Sequence, residues 1–169
     1  MLAVHMQVTS PQQSYPMRKR VHVQAAFTEP NWLRVEELAE VSVSSEDANR
    51  PIEFALVPGA GSGWRAATPG EQSVLIRFDE PQAIGLIQLR FDEAEHQRVQ
   101  EFWLQWSDDR GQTFQPIVRQ QFSFSPSGAT YEVENYNVSL PGATDLELHI
   151  VADVSDGRRV ATLTSLRLR

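Results

Sequence analysis

Residues 72–89 read Q-S-V-L-I-R-F-D-E-P-Q-A-I-G-L-I-Q-L, and their spacing decides the fold class. Val74, Ile76 and Phe78 recur every second residue, the period of a strand with one face buried. Asp79-Glu80-Pro81 then carries turn chemistry, and a second apolar segment runs over residues 84–91. Downstream the same signature returns at short intervals. It is found in Phe102, Leu104 and Trp106, in Tyr131 and Val133, and in Leu146, Leu148 and Ile150. In residues 160–168, Val160, Thr162, Thr164, Leu166 and Leu168 alternate against Ala161, Leu163 and Arg167. Asp108-Asp109-Arg110-Gly111, Ser125-Pro126-Ser127-Gly128, Pro141-Gly142 and Asp156-Gly157 punctuate these segments as turns. About eight short strands with hardly any helix predict an all-β, antiparallel sandwich or barrel.

Upstream, Val21, Val23, Ala25 and Phe27 alternate with His22, Gln24 and Ala26, which predicts a further strand ended by Pro30. Trp32, Val35 and Leu38 are spaced three apart, so a short helical turn is expected within 31–40 before the chain extends at Val41 and Val43. Residues 1–20 lack periodicity and read as a flexible leader, with Arg18-Lys19-Arg20 as a solvated cluster. The domain is therefore expected to span 21–169 as one unit, without internal repeats.

The chain has 169 residues, 41% of them hydrophobic and 22% charged, enough to bury one self-standing core. It contains no cysteine, so disulfides, cysteine-zinc sites, iron-sulfur clusters and thiol nucleophiles are excluded. A formal charge of −7 opposes generic binding to nucleic acid or anionic lipid unless a local basic patch reverses it. Lys19 is the only lysine, so such a patch would consist of planar guanidinium forks. The first thirty residues do not resemble a secretory signal, and no apolar run reaches transmembrane length. A cytoplasmic address is the expectation.

Ser44-Ser45-Glu46-Asp47, followed by Pro51-Ile52-Glu53-Phe54-Ala55-Leu56 and Gly63-Trp64-Arg65-Ala66, resembles the F5/8 type C, or discoidin, family of galactose-binding-like proteins. The strand, turn and strand of 72–89, the hairpin F-W-L-Q-W-S-D-D-R-G-Q-T-F at 102–114 and a closing strand at 161–168 continue the likeness over residues 40–169. The resemblance implies a jelly-roll β-sandwich that recognises a ligand through loops at one pole. A narrower likeness, carried by S-S-E-D-A-N-R-P-I-E-F-A-L and G-W-R-A-A-T-P-G-E-Q-S-V-L-I-R-F, is to the N-terminal domain of the animal single-strand-break repair scaffold. That domain is a DNA-break and polymerase-binding module. One superfold hosts several kinds of recognition, so the fold does not choose among them.

Many discoidin modules hold a structural calcium through an Asp in an A-L-D-G turn and a Glu on the final strand. Here the corresponding positions read Ala55-Leu56-Val57-Pro58-Gly59 and Ser165. A hard cation wants several oxygen ligands, carboxylates among them, so no tightly bound calcium is expected. Asp47, Glu46 and backbone carbonyls are what is left for a weaker site.

Trp64-Arg65 follows the glycine-rich stretch 59–63. An indole face stacks on a sugar ring or a base, and a guanidinium makes forked bonds to hydroxyls or phosphate. The favoured reading, implied by the resemblance, is that Trp64 plugs the base of the sandwich, while Arg65 stays open. Trp103 is out of phase with Phe102, Leu104 and Trp106 and should face away from the core, as a binding platform, as a contact with another chain, or covered by 21–40. Asn49-Arg50 and Arg158-Arg159 lie in loops that the discoidin topology would bring to one pole, although exposed arginines also simply solubilise an acidic protein. His96, beside Glu95 and Arg98, reads as a solvated loop residue. The aromatic and small polar residues of 120–137 suit either a strand pair with a tip at 125–128 or an adaptable contact loop.

Signs of catalysis are lacking. There is no nucleophile elbow, phosphate loop or metal-spaced histidine pair, and His5, His22, His96 and His149 are scattered. Asp108 and Asp109 serve a tight turn. The expectation is a non-catalytic, cofactor-free module that binds carbohydrate or another hydroxyl-rich ligand through Asn49, Arg50, Trp64, Arg65, Trp103, Arg158 and Arg159. The alternative is an interaction domain for a protein or, less readily at this charge, a nucleic acid. The oligomeric state is left open.

Overall fold

The computed structural model describes residues 31–169; the expected leader at 1–20 and strand at 21–27 lie outside them. A four-residue helix, α1 (Val35–Leu38), leads into β1 (Ala39–Val43), and a second short helix, α2 (Glu53–Leu56), precedes β2 (Trp64–Pro69). Then follow β3 (Glu71–Asp92), β4 (Arg98–Ser107), β5 (Gln115–Phe124), β6 (Tyr131–Val151), β7 (Val160–Leu163) and β8 (Ser165–Leu168). This is the all-β, antiparallel, eight-stranded jelly roll expected from the sequence.

Two strands are far longer than the sequence suggests. Asp79-Glu80-Pro81 does not end a strand, and neither does Pro141-Gly142; both lie inside, within β3 and β6 respectively. Here the β3–β6 pairing slips register three times, between Arg77 and Leu86. Proline is tolerated at such irregularities because no ladder N–H is required of it, so the chain bends without reversing. Each long strand thus serves two layers. Its first half, 71–78, places β3 beside β1 and the second half of β6, which continues to β4 and β5. Its second half, 86–92, lies between β8 and the first half of β6.

The layers pack face to face. Phe91 on β3 meets Phe102 on β4 at 5.2 Å between ring centroids, and Phe102 meets Tyr136 on β6 at 6.5 Å. The buried phase of β3 changes at the bend, from Val74, Ile76, Phe78 and Ile84 to Ile87, Leu89 and Phe91. A similar slip corrects the reading of 160–168 as one strand. Ala161 and Leu163 are buried in β7, then Leu166 and Leu168 in β8, with the break at Thr164, whose N–H donates to the Arg90 carbonyl at 2.9 Å. β7 pairs with β2, β8 with β3. Phe102 and Leu104 are buried as expected, whereas Trp106 is only partly so.

Short polar motifs fasten the loops. Gln72 is 3% exposed, and its Oε1 accepts from Ser44 Oγ and Ser45 Oγ, each at 2.6 Å, while its Nε2 donates to the Thr68 carbonyl at 3.0 Å. The double serine therefore ties β1, β2 and β3 together. At the other end, Asp109 accepts from Ser107 Oγ (2.6 Å), the Thr113 N–H (2.9 Å) and Thr113 Oγ1 (2.6 Å), which holds its carboxyl down at about 2. The two adjacent aspartates belong to this turn, in which Arg110 and Gly111 take φ of 62° and 77°.

Candidate functional site

Strand register fixes which loops share a pole. Asp92 pairs with Tyr131 and Arg98 with Phe124, so loops 93–97 and 125–130 lie together. Val151 pairs with both Glu71 and Glu101, and Val43 with Val74, which brings 152–159 and 44–50 to the same end. There the side chains form a cleft of about 430 Å³, within the size range of small-molecule sites. Arg50, Arg65, Arg158 and Arg159 all line it, joined by Arg98 and by the loop from Asp92 to His96.

Each arginine is positioned differently. Arg50 donates from Nε to the Gly63 carbonyl at 3.1 Å and from Nη2 to the Ser62 carbonyl at 2.8 Å, pinning the glycine-rich loop. Arg65 stands exposed on β2, its backbone N–H bonded to the Arg50 carbonyl at 3.0 Å. Arg158 pairs with Asp156 at 2.9 Å. Arg98 is 3% exposed: Nη1 donates to the Ala152 carbonyl at 3.1 Å, Nη2 to Thr162 Oγ1 at 3.3 Å, and the guanidinium lies 5.2 Å from the centroid of Phe124. Its Nε lies 3.2 Å from Glu93 Oε2, an ionic contact without hydrogen-bond geometry. Burial pushes the Glu93 carboxyl up, but the N–H groups of Glu95 and His96 and the charge of Arg98 outweigh it and hold it below the usual range.

Three expected site residues stand elsewhere. Trp64 is fully buried, with Nε1 unpartnered, so its ring is core and offers no ligand face. Asn49 is exposed but does not line the cleft. Trp103 does face away from the core, yet its ring is occupied: His149 stacks on it at 4.6 Å and 7° from β6, and Arg119 lies 4.8 Å from its centroid on β5. Those strands flank β4, so both indole faces are covered and Trp103 is no free platform. The carboxylates and Thr162 of the cleft were not singled out in the sequence. The signal was the run F-D-E-A-E-H-Q-R at 91–98, a polar loop between two apolar strands whose place at the arginine pole only the register reveals.

The carbonyls of the turn at Ala55-Leu56-Val57 are already engaged by a side chain of the chain itself. Arg167 Nη1 donates to the Ala55 and Leu56 carbonyls at 2.8 and 2.5 Å, so a guanidinium already serves the oxygens at the end of α2. Glu46 and Asp47 are turned to the Ile52 and Asn49 N–H groups, at 2.7 and 2.9 Å. Among the described residues no group of three or more acidic or histidine side chains could hold a metal. Arg167→Met should cost about 1–3 kcal/mol in urea unfolding, because two carbonyls lose their donor. An unchanged midpoint would refute the cap.

The carboxyl raised furthest, Glu132, does not line the cleft. It is 3% exposed between the layers; burial and the neighbouring Glu134 push it up to about 7, although Gln120 Nε2 donates to it at 3.0 Å. The folded state thus holds this proton more tightly than the unfolded chain, so its contribution to stability should fall as pH rises from about 4.5 through about 7. Unfolding at pH 5 and pH 7.5 should show that loss, and Glu132→Gln should flatten it.

No protein-family model matches the chain, and no curated protein matches it. Solved structures share the fold. A pectin-binding carbohydrate-binding module aligns with a TM-score of 0.58 at 18% identity, covering 78% of this chain and 90% of that one. The family 32 carbohydrate-binding module of NanJ from Clostridium perfringens, solved with galactose, gives 0.61 at 12% identity over 81% and 96%. XRCC1 bound to the catalytic domain of DNA polymerase β gives 0.57 at 16% identity over 78% and 95%. The jelly-roll class is therefore shared both with carbohydrate-binding modules and with XRCC1. Among the described residues, no helix is long and apolar enough to cross a membrane.

Proposed function

We propose that the chain is a non-catalytic recognition module whose polar cleft binds a carbohydrate, and that it does so without calcium. The observation that carries this reading is the convergence of Arg50, Arg65, Arg158 and Arg159 from three separate segments onto one cleft. Guanidinium groups donate to hydroxyl and ring oxygens, while the exposed carboxylate of Glu95 on the loop accepts from hydroxyls. The pectin-binding and galactose-bound modules that share the fold support the ligand class. Catalysis is disfavoured because the carboxyl poised near neutrality, Glu132, lies outside the cleft.

A saccharide array followed by calorimetric titration tests this. Wild type should bind at least one oligosaccharide, and Arg65→Ala should weaken it about tenfold, the loss of one charge-assisted contact. Equal behaviour of the two proteins would remove the cleft from the reading. Added calcium or chelator should leave both the affinity and the melting temperature unchanged.

Recognition of a protein is the second reading. It is favoured by Tyr131 and Val133, which stand 61% and 42% exposed on the same side of β6.

A further inference from the structure

We infer that the ligand of the cleft is an acidic saccharide, and that Arg65 and Arg159 are the residues that take its anionic group. This rests on the saccharide reading above and narrows it.

Of the five arginines in the cleft, Arg98 is neutralised by Glu93 and Arg158 by Asp156. Asp92 is turned to Arg90, with both Arg90 Nε and Nη2 at 3.1 Å, and so compensates none of the five. Arg50 is held by neutral carbonyls, which fix its position but leave its charge. Arg65 and Arg159 have no side-chain hydrogen bond and no ion pair among the described residues. Among the described residues, Glu95 is the one cleft carboxylate likewise without a cationic partner, and it is exposed. The cleft therefore carries an excess of positive charge on a chain whose total is −7. Burial pushes the Arg98 guanidinium below its ordinary value, against the nearby charges of Glu93 and Asp153.

A second observation is independent of charge. Among the described residues, no Phe, Trp or Tyr lines the cleft. A neutral sugar gains much of its affinity from an aromatic ring under its apolar face, and without one it is held only by single bonds from the guanidinium groups to its hydroxyls. A carboxylate carries the opposite charge and its two oxygens match both prongs of a guanidinium fork, so an acidic sugar gains an ion pair that a hydroxyl does not. A site built of arginines without a ring is suited to an anion borne on a sugar. The same −7 opposes a densely charged polymer such as DNA, which would have to approach the whole molecule.

The test is calorimetric titration of wild type, Arg65→Gln, Arg159→Gln and the double variant with an oligogalacturonate, the matched neutral galacto-oligosaccharide and a sulfated galactan. Neither side chain is buried, and thermal melts should confirm that all four proteins fold. Wild type should bind the oligogalacturonate about tenfold or more tightly than the neutral sugar, and the double variant should bind both alike. Preference for the sulfated galactan, lost in the double variant, would uphold the anion site and assign its source to sulfate. Equal wild-type affinity for acidic and neutral sugars would overturn the inference and leave the saccharide reading standing. Failure of every sugar to bind would overturn both.

Discussion

Replacing Arg98 by alanine should destabilise the protein by about 3–5 kcal/mol, the cost of breaking a buried ion pair from one side. Arg98 is buried at the first position of β4, and its partner Glu93 is only 16% exposed at the side chain. Truncation strands that carboxylate, removes the donors to the Ala152 carbonyl and Thr162 Oγ1, and empties the space over Phe124. For a domain of this size the loss corresponds to about 6–20 °C in melting temperature. Lysine should recover only part of it, since an ammonium cannot bridge the strand and the loop with a planar fork. Thermal and urea unfolding of both variants would decide; a loss below about 1 kcal/mol for alanine would mean that Glu93 finds water at little cost.

Gly63→Ala should be nearly as damaging for a different reason. Gly63 has φ of +96°, and a Cβ there would lie 2.6 Å from the Leu163 carbonyl oxygen and 2.7 Å from Thr164 Cα. Both obstacles are backbone, at the break between β7 and β8, so neither can rotate away. Strain at such a φ costs about 1–3 kcal/mol before the collision is counted. The substitution should also disturb the cleft, because the Gly63 carbonyl is one of the two oxygens that hold Arg50. Gly59→Ala, at φ +75° with nothing within 4 Å, isolates the backbone term and should be the milder of the two in unfolding experiments. Equal losses would show that contact with β7 is unimportant.

Period-two alternation made the strands legible, because one face of nearly every strand is buried. Where strand pairing bends or slips, the sequence misleads. Asp-Glu-Pro at 79–81 carries turn chemistry yet bends a continuous β3, since the preceding and following halves already have partners in β6. The single alternation across 160–168 hides a change of partner that only three-dimensional pairing reveals. Of the site, the arginines were found because loop arginines on an acidic chain are conspicuous. Trp64 and Trp103 were less readable: a tryptophan's identity does not say whether its ring faces a ligand, a core or, as in Trp103, two neighbouring side chains. Arg167 gave no local signal, because its carbonyl partners are more than a hundred residues away along the chain.

The shared long strands have a bearing on motion. Since β3 and β6 each run through both layers, neither layer can detach without breaking hydrogen bonds in the other. Amide exchange from Val74 to Phe91 and from Glu132 to Ile150 should therefore proceed through one global opening with a common free energy, not through two separate units. The short β2–β7 pair has no ladder to this frame, yet Trp64, Ala66, Ala161 and Leu163 anchor it in the same core. It carries Arg65 and Thr162. The ribbon that forms a wall of the cleft is thus seated on the same core as the long strands, so the shape of the cleft is set before a ligand arrives.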